Sequence, residues 1–426
     1  MQRRSQGCPS VSYDRIFWPV DQLDLIPSTH RAERLFLLDV LGDGMGDAIG
    51  DLQFGRELSV DAFLAVTPEK LYPFLFVRLK PHAERLRMPG ALAETLSAHY
   101  RRNLLIELRR VADLRRLDAT LTDAGISYLV LKGPVLAASV YPDRAARTMT
   151  DLDLLIAQEE MPRAMEVLET IGYRVPAEFA GTEVEAGDAP PLVHDEPGGL
   201  VLELHSMLDS LPEERAALSA MLPTASRVSV GHGLMLPTLE RGEFFAHVAA
   251  HVSKHHRFEG ELRSLLDVAL LLHADVATLD WETLDREWQR RGIAEWVALT
   301  VTLAHLLLRS PLPALYRDRP LSHEALSIAA EQLWIVQKNR LPPRVMYSVA
   351  GRFPTPVHAH VPKSNASVPS GLRGISARAA RQWQRARRVL SAFRRGTLRP
   401  SIVATDVDLF LKRERLFALI EEKKNQ

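Results

Sequence analysis

Apolar residues recur at helical spacing along most of the chain and give way to short strand-like runs only between Ser127 and Met235. Near the N-terminus, Arg31 to Val40 and Val60 to Leu75 carry helix-like spacing, separated by glycine-rich punctuation from Gly42 to Gly50. A long helix is expected from Ala91 to Ala124. There Leu104, Leu105, Leu108, Val111, Leu114, Leu117 and Leu121 follow a stripe near the helical period, and Asp123-Ala124-Gly125 supplies the stop. Ser127 to Lys132 then reads as a buried strand, Gly133 opens a short helix, and Leu152, Leu154 and Ile156 mark a second apolar strand. A helix over Met161 to Ile171 ends at Gly172, and strands follow at Pro191 to His194 and Leu200 to Met207, with a last one around Val228 to Met235. Beyond Pro237 the pattern is helical, with Thr238 as the expected N-cap. The whole predicts an α+β chain in which a small mixed-sheet core is flanked by N-terminal and C-terminal helical regions. The expected division is a helical accessory region (1–95), the sheet-bearing core (96–237), a helical domain (238–350), and a linker, basic segment and final helix (351–426).

The polar exceptions inside the apolar strands carry the candidate chemistry. Asp151 and Asp153 sit at i and i+2 of one strand, so their side chains share a face. Two such carboxylates repel each other unless a cation lies between them, and hard divalent ions, magnesium above all, take carboxylate oxygens and share their remaining positions with water and phosphates. The pair therefore points to a metal–nucleotide site, the plainer alternative being a solvent-facing edge strand or a capping acid. Gly133 follows a strand and opens a helix whose free N–H groups suit a phosphate. Pro134 removes one of those N–H groups, leaving Lys132 or Arg147 to carry the phosphate. An ammonium on an apolar strand is costly unless an anion meets it, which favours a functional Lys132. Arg144 and Arg147 fit a solvated loop as well as a phosphate contact.

Leu131-Lys132-Gly133, Tyr141-Pro142, Arg147, Asp151-Leu152-Asp153-Leu154-Leu155 and Glu203-Leu204-His205 resemble the uncharacterised nucleotidyltransferase family, within the polymerase-beta-like nucleotidyltransferase superfamily. The likeness runs from roughly Asn103 to Asp267. It implies a nucleotidyltransferase core with a two-ion magnesium site held by three acids, Asp151, Asp153 and a third on a neighbouring strand, which Glu203 supplies. A salt bridge from Glu203 to an arginine such as Arg147 is the other reading of that residue. His205 shares the face of Glu203 and is either part of the site, with Lys132, Gly133 and Arg147 as nucleotide-binding residues, or a hydrogen-bonded core histidine. The family is met in bacterial gene clusters for surface polysaccharides and modified peptides, so the resemblance implies a small-molecule, peptide or glycan acceptor.

Glu243, His247, His251 and His255 recur every four residues and stack along one helix face. Positions eight apart lie about 12 Å apart along a helix, so three of these histidines cannot share one zinc ion. The face closes over nucleotide or acceptor, packs on the core, or offers a His247–His251 metal pair, although no glutamate directly follows His247 as a metalloprotease motif requires. Arg263 and Asp267, at i and i+4, read as a pair.

Lys+Arg 53 against Asp+Glu 53 leaves no net charge, which argues against wholesale nucleic-acid binding. The basic residues are nevertheless unevenly placed. Nine arginines and no acid lie between Arg373 and Arg399, after a Pro- and Ser-rich stretch from Gly351 to Gly371; this segment is a solvated helix or a binder of anionic partners such as RNA or a membrane surface. The single cysteine, Cys8, suits a reducing compartment, and no apolar run reads as a secretion signal or membrane span, so a cytoplasmic location is expected. The leading reading is a magnesium-dependent enzyme moving a nucleoside monophosphate from an NTP, ATP among them, to an acceptor. The alternatives are a non-catalytic binding or scaffold module with the same fold, and an RNA-modifying nucleotidyltransferase.

Overall fold

The computed structural model describes residues 20–42, 53–176, 189–195, 200–208, 221–335, 412 and 414–423. The chain forms two compact units, Met1–Trp334 and Ile335–Gln426. In the second, residue 412 and residues 414–423 are helical, where the sequence reads a last amphipathic helix over Asp406 to Glu422. The Arg373 to Arg399 segment, the 351–371 linker and Cys8 lie outside the described residues.

In the first unit a seven-stranded mixed sheet has the order β3-β4-β5-β2-β1-β7-β6. Its strands are β1 (Tyr128–Val130), β2 (Asp151–Ile156), β3 (Tyr173–Arg174), β4 (Leu192–His194), β5 (Val201–His205), β6 (Ser226–Gly231) and β7 (Leu234–Thr238). The central β2 pairs antiparallel with β1 and parallel with β5. All three β1 residues are buried, as are Leu152, Leu154, Leu155 and Ile156 of β2, which suits strands covered on both faces. Helices flank the sheet: α1 (Arg31–Leu41), α2 (Val60–Val66), α3 (Tyr72–Leu79) and α4 (Gly90–Asp123) before it, α5 (Gly133–Ser139) and α6 (Met161–Glu169) within it, and α7 (Arg241–Ala250), α8 (Leu262–Asp275), α9 (Trp281–Arg290), α10 (Ala294–Leu308) and α11 (His323–Leu333) after it. The architecture is the expected α+β class.

Four local expectations are corrected. The single last strand around Val228 to Met235 is a hairpin, β6 and β7, turning at Gly231, His232 and Gly233, all with positive φ. The helical spacing over Val60 to Leu75 is split at Pro68, where the backbone is extended, because a proline cannot continue the ladder. Thr238 does not cap α7: it ends β7 and donates to the Val130 carbonyl at 2.7 Å, while the Glu240 carboxylate accepts from the backbone N–H groups of Gly242 and Glu243. The long helix forms almost where expected, but its stripe is rotated. Leu104, Leu105 and Leu108 are 38%, 68% and 52% exposed. The inward row at that level is instead Asn103, Glu107 and Arg110, and apolar burial resumes at Val111, Leu114, Leu117 and Leu121. Asn103 explains the rotation, since its side-chain amide donates to the carbonyls of Ala145 and Arg147 and holds the loop that feeds β2.

Among the described residues, no helix is long and apolar enough to cross a membrane. The most apolar helix, α10, is buried nearly all round within the helical part of the first unit.

Candidate functional site

Parallel register between β2 and β5 sets Asp153 opposite Glu203, Asp151 opposite Val201 and Leu155 opposite His205. Strand alternation then puts Asp151, Asp153, Glu203 and His205 on one face of the sheet. One ligand atom from each of Asp153, Glu203 and His205 lies within 4.8 Å of the others, a group able to hold a metal ion. Asp151 lies at the start of β2, on the same face and less buried.

Lys132 enters from β1. The bond from the Leu131 N–H to the Asp153 carbonyl extends the β1–β2 ladder by a step, and Lys132 then adopts φ 44°, ψ −105°, a conformation rare for a residue with a side chain. Its Nζ donates to Asp153 Oδ1 at 2.8 Å, and His205 Nε2 lies 3.0 Å from the same oxygen. Burial works to raise the Asp153 carboxyl, but the His205 hydrogen bond and the Lys132 charge outweigh it and hold this acid well below the usual carboxylate range. Glu203 is less shielded, with 41% of its side chain exposed. Burial and the neighbouring charges of Asp153 and Asp151 push it up. The carboxylate repulsion expected from sequence therefore falls on Glu203, while Asp153 is already paired.

Gly133 begins α5 with its backbone pressed against its neighbours. A Cβ there would stand 2.3 Å from Met149 Sδ and 3.3 Å from Arg147 Nη1, so close packing accounts for the glycine. Arg147 is engaged by α8. Its Nε and Nη2 donate to the two oxygens of Asp267 at 2.9 and 2.8 Å, and the Tyr141 hydroxyl donates to the same carboxylate at 2.7 Å. Asp267 thus pairs with Arg147 rather than with Arg263, which donates to the Thr148 carbonyl. Arg144 donates to the Val230 carbonyl of the β6–β7 hairpin.

The histidine row is reshaped by its backbone. After α7 the chain makes a π-helical turn, His251–His255, and the wider turn carries His256 under His251. His256 Nε2 stands 2.9 Å from His251 Nε2, which in turn is 3.4 Å from Lys132 Nζ. His256 was not singled out by the four-residue repeat, because it joins the cluster only through the π turn; the adjacent pair His255-His256 is the one trace of it in the sequence. Glu243, the fourth member of the row, pairs with Arg291. Burial and the surrounding positive groups, Lys132 first among them, push the His251 imidazole well below its ordinary value.

A family model described as uncharacterised nucleotidyltransferase matches residues 59–309. No curated protein matches the chain. The matched span holds every strand of the sheet, the acid cluster, Lys132 and the π-helical turn. On that match, which covers more than half of its length and supports nucleotidyl transfer in general, the chain belongs to the uncharacterised nucleotidyltransferase family.

Proposed function

We propose that this protein is a divalent-metal-dependent nucleotidyltransferase that moves a nucleoside monophosphate from an NTP to an acceptor hydroxyl and releases pyrophosphate. The observation that carries the reading is the convergence of Asp153, Glu203 and His205 beside Lys132 in a chain of this family. Two carboxylates and an imidazole are an acceptable donor set for a divalent ion, with Asp151 on the same face as a further oxygen donor toward magnesium. Such an ion would neutralise phosphate charge and make the acceptor hydroxyl a better nucleophile. The chain's own part is positional. Asp153 is held ionised at the pH of the cell, Lys132 supplies a positive charge next to it, and Glu203, raised by burial and by the charges of Asp153 and Asp151, gains from an added cation. Arg147 is omitted from the phosphate contacts because Asp267 engages it.

Glu203→Gln tests the arrangement. Nucleotide binding should stay within a few-fold of the parent, about 1 kcal/mol or less, while transfer falls by roughly two to three orders of magnitude. The readout is mass spectrometry of reactions with mixed NTPs, magnesium and cell extract, in which the adduct mass names the nucleotide and its carrier the acceptor. Joint loss of binding and transfer would instead make Glu203 a structural residue. The Lys132–Asp153 contact favours a second reading, a nucleotide-binding module without turnover, because Asp153 already has a cation; calorimetric binding of NTP with magnesium but no adduct in any extract is its signature.

A further inference from the structure

Next to the acid cluster lies a second, oppositely charged group that the carboxylates do not explain. Lys132 is shared between them, with its Nζ 2.8 Å from Asp153 Oδ1 and 3.4 Å from His251 Nε2. Beyond His251 stands His256, its side chain 44% exposed, within electrostatic reach of Lys132, Lys70 and Arg263. These groups come from separate parts of the chain: Lys70 just before α3, Lys132 after β1, His251 and His256 from the π-helical turn, and Arg263 from the first turn of α8. Glu261 is the local acid, 3.8 Å from Lys70 Nζ and 4.0 Å from His256 Nδ1. Asp267 also lies within reach of Lys70 and Arg263 but is taken up by Arg147, so Glu261 is left to face these two cations, and Lys132 is paired on its other side by Asp153. The donors are also under-used. Arg263 Nε is buried without a hydrogen-bond partner among the described residues. Of the two facing Nε2 atoms one donates and the other accepts, and Lys132 Nζ offers His251 Nε2 a second donor, so an anion that takes one of these donors leaves the other in place.

We infer that Lys70, His251, His256 and Arg263, continued by Lys132, form a polyphosphate-binding pole, built by the helical part of the unit rather than by the short helix opening at Gly133-Pro134. A triphosphate is anionic along its length, so one of its ends suits these nitrogens, while the other could approach the carboxylates only across a divalent ion held by Asp153 and Glu203. Lys132 joins the two poles, which gives its unusual backbone conformation a purpose. The inference deepens the proposed nucleotidyl transfer and rests on it for the identity of the anion.

Calorimetry with inorganic tripolyphosphate, at low ionic strength and with chelator present, reads this pole without metal, nucleobase or turnover. The parent should bind. Lys70→Met and His256→Ala should each weaken binding about tenfold, the scale of one lost charge-assisted hydrogen bond, while Lys70→Arg should largely retain it. His256→Gln stands in should the alanine variant melt early. Absence of binding by the parent, or equal binding by parent, Lys70→Met and His256→Ala, overturns the inference even if magnesium–NTP transfer is intact. Tripolyphosphate binding that falls as expected, in a protein that transfers no nucleotide from any NTP, upholds the pole and removes the nucleotidyl-transfer reading instead.

Discussion

Asp153→Asn is expected to abolish metal-dependent NTP binding and transfer and, at the same time, to destabilise the protein without metal. Sequence alone gives the opposite sign for stability, since two carboxylates at i and i+2 repel and neutralising one should relieve them. Geometry reverses it. Asp153 is 4% exposed and already receives Lys132 Nζ at 2.8 Å, with His205 Nε2 at 3.0 Å. The amide keeps the shape but leaves the largely buried ammonium without its counter-charge, a loss of about 2 to 4 kcal/mol by analogy with other broken buried pairs. The same contacts fix the pH dependence. Because the folded carboxyl is held below its unfolded value of about 3.9, its contribution is complete above that pH and fades as the pH falls below it. Parent and variant should therefore differ in denaturant midpoint near neutrality, the difference beginning to shrink below about pH 3.9 and closing only as the pH falls through the depressed folded value. A variant as stable as the parent at neutral pH would mean that Lys132 does not neutralise Asp153, and retained magnesium–NTP binding would remove the metal assignment.

What was legible in the sequence followed from local rules. Alternation on β2 and β5 put four polar side chains on one face of apolar strands, and a polar residue in such a strand is informative because burial makes it costly. The register that sets Asp153 against Glu203 is a long-range pairing, and neither strand carries it alone; the family resemblance supplied that link. The exposed Leu104, Leu105 and Leu108 show the limit of periodicity. Apolar residues fit both sides of the long helix, and the choice was made by Asn103 bonding to carbonyls of a loop more than forty residues away, a partner no window of sequence contains. The π-helical turn was hidden for a related reason. A strict four-residue repeat assumes an unbroken α-helix, and one wider turn brings His256 to His251 beside His255.

Asp267→Asn should be the most destabilising conservative change in the first unit, by about 3 to 5 kcal/mol, the usual result of removing one partner of a buried ion pair. Arg147 is 4% exposed and Asp267 1%, joined by two parallel hydrogen bonds with the Tyr141 hydroxyl as a third. Burial works against both charges, yet each partner holds the other ionised, with Asp267 lowered and Arg147 raised from their ordinary values. The pair fastens the loop before β2 to α8, so it links the strand that carries Asp151 and Asp153 to the helical part of the unit. Arg147→Met alone should cost a similar amount, since it strands a buried carboxylate. The double variant Arg147→Met with Asp267→Leu should be markedly more stable than Arg147→Met or Asp267→Leu alone, because the desolvated charges leave together. Denaturant unfolding of the four proteins measures that coupling, and additive losses would mean that the two side chains do not form the pair. The double variant also decides the role of Arg147, for a purely structural arginine predicts a KM for NTP within about twofold of the parent, whereas a rise of about tenfold at recovered stability would return Arg147 to the triphosphate.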